Sequence, residues 1–378
     1  MSHTLDRVAG PRYRIELPSD EQPLVSIVVL LSGKRGLAQR SLESIAAAHE
    51  PGVPSEVVIV VNTPDAATRS IALERADPAR SIVRDVNTGT AVGWNLGFQA
   101  ARGEYVALLH EDSAPEAGWL PPLLDAARGL PEAGALQSVL LNTDGGVGHG
   151  GVLTWREGEL TPLTAANAPD LVLGDAPYPV SIASSAAMFM ARAAWEAVGG
   201  FDERFFPAIR VDGDVCMALW CRGRSVLCVP RSRVRHERQA MVREDGGPLA
   251  SPIYREFLIQ RNRARWMDKW AAVLATHPPL PGGKPFRVHP DHLGAAVDRL
   301  RAWTKAGGAL RDPPPTDRRL TGDELEGLDE RLSEAHERVR DEFLSWLVEE
   351  LQRAREDAGD KLRRLQRLER EATGGTGA

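Results

Sequence analysis

Residues Leu24–Leu31 read LVSIVVLL, an almost continuous apolar run rich in branched side chains. A run without polar alternation is typical of a strand buried on both faces of a parallel sheet. Glu56–Val61 (EVVIVV) and Glu104–Leu109 (EYVALL) show the same pattern, and Ser81–Val86 shows a weaker form of it. Helical spacing between these strands predicts helices over Leu37–Ala48, residues 66–75 and Ala91–Ala101. Strands that alternate with helices in this way predict an α/β fold with a mostly parallel, doubly wound sheet.

The middle of the chain extends this sheet with a mixed set of elements. We predict strands over Leu136–Leu141, Val152–Trp155, Ser181–Met190 and Ser225–Val229, and helices over Ala193–Val198 and Asp212–Cys221. A glycine-rich segment, Gly145–Gly151, separates the first two of these strands. It lacks the Lys-Ser/Thr pair of a P-loop and precedes a strand, which favours a hairpin turn over a phosphate-binding loop.

The C-terminal third is predicted to be helical. One helix is expected over Ile253–Ala272 and another from about Pro290 to Ala306, after a linker rich in proline and glycine. Leucines at helical spacing from Leu325 to Leu368 predict one or two further amphipathic helices. Their apolar face is expected to dock on the main domain or on a second copy of the chain. A membrane surface or another protein is the alternative partner.

These patterns divide the chain into five parts. They are an N-terminal extension (1–22), a main α/β domain (23–245), a helical subdomain (246–311), the C-terminal amphipathic helices (316–372) and a disordered tail (373–378). The polar N-terminus lacks the apolar core of a signal peptide. No apolar run approaches the roughly 20 residues that span a bilayer.

Composition and charge exclude several classes of protein. With 43% hydrophobic and 26% charged residues, the chain is globular rather than disordered or collagen-like. Its net charge of −6 argues against a dedicated nucleic-acid binder, which carries a basic excess. Three cysteines cannot form a disulfide framework, so a reducing, cytoplasmic setting is expected. Peripheral contact of the protein with the inner face of a membrane is the alternative setting.

Two acidic clusters follow elements of the predicted sheet. His110, Glu111 and Asp112 come directly after a buried strand, where ligands bind in open parallel sheets. Carboxylates there are typical ligands of Mg²⁺ or Mn²⁺ bound with substrate phosphates. Asp212 and Asp214 open a predicted helix, and each cluster has helix capping as its structural alternative. Two carboxylates at one helix start leave one for base catalysis.

Several ordered segments carry a family resemblance. They are VSIVV from Val25, Asn95-Leu96-Gly97, the strand ending in HEDS, GHGGV from Gly148, GGFDERFF from Gly199, and a final Pro230-x₅-His236. In this order they resemble the inverting nucleotide-sugar glycosyltransferases of family 2, which have the GT-A fold. The GGFDERFF string is the strongest single signal. The resemblance covers about residues 24–237.

The resemblance implies roles for individual residues. Asp112 matches the final Asp of the family's DXD-type motif, which binds Mn²⁺ or Mg²⁺ on the donor diphosphate, and His236 matches a His that adds a metal contact. Asp212 matches the general base. The donor nucleotide-sugar site would comprise Leu31, Ser32, Asn62, Arg102, Gly103, His110, Glu111 and Asp112. The acceptor side would comprise Phe201, Asp202 and Asp214.

Three positions depart from the family pattern. Val61 stands where an Asp usually reads the nucleobase, so the donor could carry uridine, thymidine or guanosine. His110 replaces the first Asp of the metal motif, which could change the choice of metal. Val211 replaces the Glu that usually precedes the base.

The resemblance implies transfer of a hexosyl or deoxyhexosyl group, with inversion, from a nucleotide-sugar to a glycan, a lipid-linked acceptor or a small molecule. Bacterial glycan assembly or natural-product glycosylation fits the family. A homodimer through the C-terminal helices is an open expectation. A sugar-nucleotide nucleotidyltransferase and a non-catalytic carbohydrate- or partner-binding scaffold are the alternative functions.

Overall fold

The computed structural model describes residues 14–77, 79–237, 251–282, 287–288, 298 and 326–374. The chain divides into two compact units, Met1–Asp329 and Glu330–Ala378. The predicted helix at 290–306 lies outside the described residues, apart from residue 298.

Fourteen strands occur among the described residues. They are β1 (Ile15–Glu16), β2 (Val25–Leu31), β3 (Ser55–Val61), β4 (Ala76–Asp77), β5 (Arg80–Val83), β6 (Tyr105–His110), β7 (Ser113–Pro115), β8 (Ala133–Leu141), β9 (Val147–His149), β10 (Val152–Thr154), β11 (Leu160–Pro162), β12 (Tyr178–Pro179), β13 (Ala187–Ala191) and β14 (Ser225–His236).

The helices flank these strands. They are α1 (Arg35–Ala47), α2 (Ala66–Ser70), α3 (Gly89–Ala100), α4 (Leu120–Gly129), α5 (Pro169–Val172), α6 (Arg192–Val198), α7 (Val211–Cys221), α8 (Pro252–Leu274) and α9 (Leu328–Gly374). A π-helical turn (Ile71–Arg75) follows α2, and a 3₁₀ turn (Glu203–Phe205) lies between α6 and α7.

The main sheet has ten strands, eight of them in the order β12-β14-β8-β13-β6-β2-β3-β5. Strands β6, β2, β3 and β5 run parallel, as the alternating pattern predicts. Strand β13 inserts antiparallel between β6 and β8, and β14 returns parallel to β8. The mixed, mostly parallel sheet flanked by helices confirms the predicted fold class.

Burial on both faces accounts for the apolar strands. All seven residues of β2 and of β3 are buried, because helices cover the sheet on two sides. On one side α3 lies so close to β2 that a Cβ at Gly97 would overlap the side chain of Val28. Glycine at this position therefore lets α3 pack directly on the strand that leads to the candidate site.

Strand β14 is longer than the predicted Ser225–Val229. Its pairing with β8 is interrupted between Val229 and Arg233, where Pro230 offers no N–H to the ladder, and then resumes. Beyond this bulge the strand also pairs with β7, which places His236 opposite Ser113. The continuation carries His236 to the carboxyl end of β6.

The second unit consists of the described part of α9. It is one continuous helix, where the sequence allowed one or two, and it reaches Gly374, inside the tail predicted as disordered. Leu344, Val348 and Leu351 lie at helical spacing and are exposed. Among the described residues, no helix combines the length and the apolar character needed to cross a membrane.

Candidate active site

Three side chains meet at the carboxyl end of β6. His110 is the last residue of that strand, Asp112 follows it, and His236 ends β14. Asp112 Oδ1 lies 3.2 Å from His236 Nε2 and 4.0 Å from His110 Nδ1. One ligand atom from each residue falls within 4.8 Å of the others. Metal bonds of about 2.1 Å place neighbouring ligand atoms about 3–3.5 Å apart, so the spacing suits one cation after small adjustments.

Burial around Asp112 favours a ligand. The carboxylate is buried, and its Oδ2 has no hydrogen-bond partner among the described residues. Burying a carboxylate oxygen without a partner costs free energy, and a bound cation would offset that cost. Burial alone would raise the pKa of Asp112, but the contact with His236 and the nearby His110 together outweigh burial and lower this pKa below its ordinary value. The residues present therefore fit a divalent cation.

His110 is fixed from two sides. Its ring stacks on Trp94 with a centroid distance of 5.7 Å, and its Nε2 lies 3.2 Å from Ser185 Oγ. When the ring proton is on Nε2, His110 donates to Ser185 and the Nδ1 lone pair stays on the side of Asp112. Burial lowers the pKa of His110 and so favours the neutral ring that a metal needs.

Asp212 lies in the first turn of α7, beside the same serine. Its Oδ2 accepts a hydrogen bond from the backbone N–H of Ser185 at 3.0 Å. Ser185 therefore contacts both the candidate base and a candidate metal ligand, at sequence separations of 27 and 75 residues. The two acidic clusters found in the sequence belong to one site.

Glu111 points away from this cluster, towards the loop after β2. Its Oε2 accepts hydrogen bonds from the N–H groups of Ser32 at 2.8 Å and Lys34 at 3.3 Å. Burial raises the pKa of Glu111 to about 7, although both N–H donors oppose the shift. Glu111 therefore ties the loop after β2 to the end of β6.

Comparison with known proteins agrees with this geometry. Residues 26–169 match the family model described as Glycosyl transferase family 2. The chain carries a family 2 glycosyltransferase domain. O-antigen biosynthesis protein RfbC of Myxococcus xanthus is 26% identical over 73% of the chain, and Uncharacterized protein y4gI of Sinorhizobium fredii is 25% identical over 72%. The alignments cover only 21% and 31% of these relatives, so the chain spans less than a third of their length.

A solved structure shares the fold of the family 2 domain. The structure of GalNAc-T7 with UDP, GalNAc and Mn²⁺ superposes with a TM-score of 0.52 at 16% sequence identity. The match covers 68% of this chain and 50% of that one. The likeness shows a GT-A fold, as the sequence predicts.

The three predicted nucleoside contacts differ in how far they are exposed. Leu31 is wholly buried within β2. Asn62 is also buried, and its side chain binds Thr88 and the Gly89 carbonyl at the start of α3. Ser32 is exposed, with its N–H on Glu111. Of these three predicted contacts, only Ser32 presents accessible surface.

Arg102 and Gly103 do not border the candidate site. Arg102 binds Glu56 through its backbone N–H and its guanidinium, and the Gly103 N–H donates to Ser26 Oγ at 2.9 Å. Ser26 and Glu56 lie at the amino ends of β2 and β3. At about 3.3 Å per residue, β6 places this pair about 20 Å from Asp112. The expectation that both residues border the donor is therefore corrected.

The predicted acceptor residues form a buried network. Phe201, Asp202 and Asp214 are all buried. Lys269 Nζ lies 2.7 Å from Asp202 and 2.8 Å from Asp214. Burial alone would raise the pKa of Asp202, but the hydrogen bond from Arg204 and the charge of Lys269 lower it well below its usual range. Asp202 and Asp214 therefore serve as the ion-pair partners of Lys269. Because both carboxylates are buried, neither presents accessible surface to an acceptor.

Sequence reasoning missed Trp94, Ser185 and Lys269. Trp94 and Ser185 belong to segments without a charged motif. Lys269 had a weak signal, because Trp266 and Trp270 stand four residues apart on the same helix and mark a packed face. None of the three could be assigned without knowing what packs against it.

Proposed function

We propose that this chain is an inverting glycosyltransferase. It would move a hexosyl or deoxyhexosyl group from a nucleotide-sugar to an acceptor hydroxyl with the help of a divalent cation. One observation carries the proposal: the His110, Asp112 and His236 cluster and the Asp212 carboxylate meet at Ser185 on the carboxyl edge of the sheet. The family 2 match supports it.

The cluster is the candidate cation site. Asp112, His110 and His236 would hold Mn²⁺ or Mg²⁺ through one carboxylate and two imidazoles. The cation would stabilise the negative charge on the leaving nucleoside diphosphate as a Lewis acid. The GalNAc-T7 structure was solved with UDP and Mn²⁺ bound, which supports this assignment.

Asp212 is the candidate general base. Its carboxylate is held by Ser185 N–H at one oxygen, which leaves the other oxygen for a substrate proton. It would accept the proton of the acceptor hydroxyl while that oxygen attacks the anomeric carbon and the bond to the diphosphate breaks. A single displacement of this kind inverts the anomeric centre and needs no covalent enzyme nucleophile.

One of the relatives supports a biological setting for this proposal. Similarity to an O-antigen biosynthesis protein supports a role in bacterial glycan assembly. The proposed acceptor is a glycan, a lipid-linked molecule or a small molecule, and the proposed setting is cytoplasmic, as the sequence predicts. The exposed Leu344, Val348 and Leu351 of α9 support an interaction through that helix. A second copy and a membrane surface are the two candidate partners.

We expect one nucleoside diphosphate to raise the melting temperature in the presence of Mn²⁺. At about 100 times its Kd, a ligand stabilises the folded state by about 2.7 kcal/mol, which corresponds to about 5–10 °C for a domain of this size. Thermal-shift measurements with UDP, GDP and dTDP, each with and without Mn²⁺, test this. No shift with any of them at millimolar concentration would contradict the donor site. Release of pyrophosphate during turnover would instead identify a nucleotidyltransferase.

We expect Mn²⁺ to bind more tightly than Mg²⁺. Two of the three candidate ligands are imidazoles, whereas Mg²⁺ prefers oxygen ligands. Asp112→Asn should weaken Mn²⁺ binding by at least about 10–100-fold, the loss seen for residues that merely support a ligand. Calorimetry measures the dissociation constants of Mn²⁺ and Mg²⁺ for the wild type, and that of Mn²⁺ for the variant. Glu116→Gln removes a carboxylate that pairs with Arg235 outside the cluster, and it should leave Mn²⁺ binding unchanged. Equal binding by the Asp112 variant would rule out this cation site.

A further inference from the structure

Helix α8 lies along the segment that delivers Asp212. We call residues 202–210, which lead from the GGFDERFF string to α7, the base loop. The residues of α8 that contact the base loop begin with Arg261 and its neighbour Asn262. Further contacts follow at intervals of four residues. Arg265 Nη1 donates to the Arg204 carbonyl, and Lys269 binds Asp202. This spacing places the contacts on one face of α8.

Asn262 is the centre of this face. It is wholly buried, and its Nδ2 lies 3.0 Å from the Phe205 carbonyl, 2.6 Å from the Ala208 carbonyl and 3.2 Å from the Ile209 carbonyl. Its Oδ1 accepts a hydrogen bond from Arg261, which also donates to the Phe206 carbonyl. One buried amide therefore contacts three backbone carbonyls of the base loop. Removing the donor from a buried acceptor such as the Phe205 carbonyl costs free energy.

The base loop needs such support because its last two residues have a strained backbone. Ile209 and Arg210 have φ angles of 75° and 71°, in the left-handed region that favours glycine. Conformations of this kind cost about 1–3 kcal/mol each and persist only when their surroundings impose them. Asn262 binds the carbonyl of Ile209, and the Arg210 guanidinium is held by the Gly158 carbonyl and by the ring of Trp266.

The C-terminal half of α8 contacts both the start of the base loop and the first turn of α7. Lys269 lies between Asp202, which precedes the base loop's 3₁₀ turn, and Asp214, in the first turn of α7. Trp270 Nε1 also donates to Asp214 Oδ1 at 2.8 Å. Because Asp214 is two residues from Asp212, this anchor fixes the helix turn that carries the candidate base.

We propose that α8 is a positioning element for Asp212, with Asn262 as its central positioning residue. This inference rests on the function proposed above, in which Asp212 accepts the acceptor's proton. Helix α8 lies beyond residues 26–169, which match the family model. The catalytic unit therefore extends at least to the end of α8, and its proton acceptor is oriented by a helix outside the matched region.

The test compares Asn262→Asp with Gln260→Ala in the full chain. The first variant keeps the side-chain size but replaces the donor group with an acceptor. Gln260 is an exposed amide of the same helix that bonds Glu256. Arg261→Met, which removes one donor to the base loop, is a milder second variant should Asn262→Asp fold poorly. Hydrogen exchange, Mn²⁺ binding and release of nucleoside diphosphate from a panel of UDP-, GDP- and dTDP-linked hexoses are measured for each.

We expect exchange to accelerate at residues 203–214 in the Asn262 and Arg261 variants, with no change in β2, β6 or β14. We also expect kcat, expressed per bound Mn²⁺, to fall by about 10–100-fold, because a displacement of about 1 Å has this effect. The Mn²⁺ constant and the donor KM should stay the same. Gln260→Ala should change none of these quantities.

Uniform acceleration of exchange, or unchanged exchange at 203–214, would overturn the positioning role, because α8 would then support only overall stability. Local acceleration with unchanged kcat would overturn it too. If the wild-type chain releases no nucleoside diphosphate from any donor, the proposed function fails. If hydrogen exchange in the variants nevertheless responds as expected, the experiment still shows that α8 stabilises the base loop. The two failures are thereby distinguished.

Discussion

Asp212→Asn is expected to lower turnover by about 10²–10⁴-fold, the contribution typical of general-base catalysis. The amide keeps the size of the side chain and can still accept the Ser185 N–H, but it cannot take a proton from an acceptor hydroxyl. Mn²⁺ binding should persist, because His110, Asp112 and His236 are unchanged. The loss should therefore appear in kcat rather than in the affinity for metal or donor.

Steady-state release of nucleoside diphosphate, with calorimetric Mn²⁺ binding in parallel, measures this separation. Asp144→Asn, which changes an exposed carboxylate in the turn after β8, is the matched control and should behave as the wild type does. Full activity of Asp212→Asn would favour a non-catalytic carbohydrate- or partner-binding scaffold. Loss of Mn²⁺ binding would instead place Asp212 among the metal ligands.

Lys269→Met is expected to have the largest effect on stability, a loss of about 3–5 kcal/mol in the free energy of unfolding. Removing the ammonium leaves two carboxylates buried, with 0% of Asp202 and 2% of Asp214 exposed. Arg204 still pairs with Asp202, whereas the indole N–H of Trp270 is the one side-chain donor left to the Asp214 carboxylate within the described part of the chain. The methionine preserves most of the side-chain volume, so the loss reports charge rather than a cavity.

Urea denaturation measures the effect, with Arg255→Met as a control that removes an exposed cation from the same helix. The triple variant Lys269→Met, Asp202→Asn and Asp214→Asn should recover part of the stability, because no buried charge is then left unpaired. A loss below about 1 kcal/mol for Lys269→Met, which is the range of exposed ion pairs, would show that the network is not a stabilising centre.

Local patterns were sufficient for much of the fold. Continuous apolar runs identified β2, β3 and β6 because strands buried on both faces have no polar alternation. The same patterns placed His110 and Asp112 at the carboxyl end of a strand, where an open sheet binds ligands. Asp212 followed from its position at a helix start together with the resemblance to family 2 enzymes.

The error at Arg102 has a clear cause. Arg102 precedes β6, so the direction of that strand already places it at the amino edge of the sheet. The resemblance assigned it to the donor without regard to this polarity. In the structure its guanidinium instead pairs with the buried Glu56 of β3. A motif match therefore needs to be checked against strand direction before a role is transferred.

The sequence by itself determined the alternation of apolar strands and helices in the first half of the main domain, the family resemblance and the chemical types at the site, because these depend on periodicity and on short ordered motifs. Only the tertiary structure decided which side chains meet. Ser185 joins His110 to Asp212, and Asn262 reaches Phe205 from 57 residues away. Such contacts depend on strand insertion and helix docking, which bring distant residues together without leaving a local pattern in the chain.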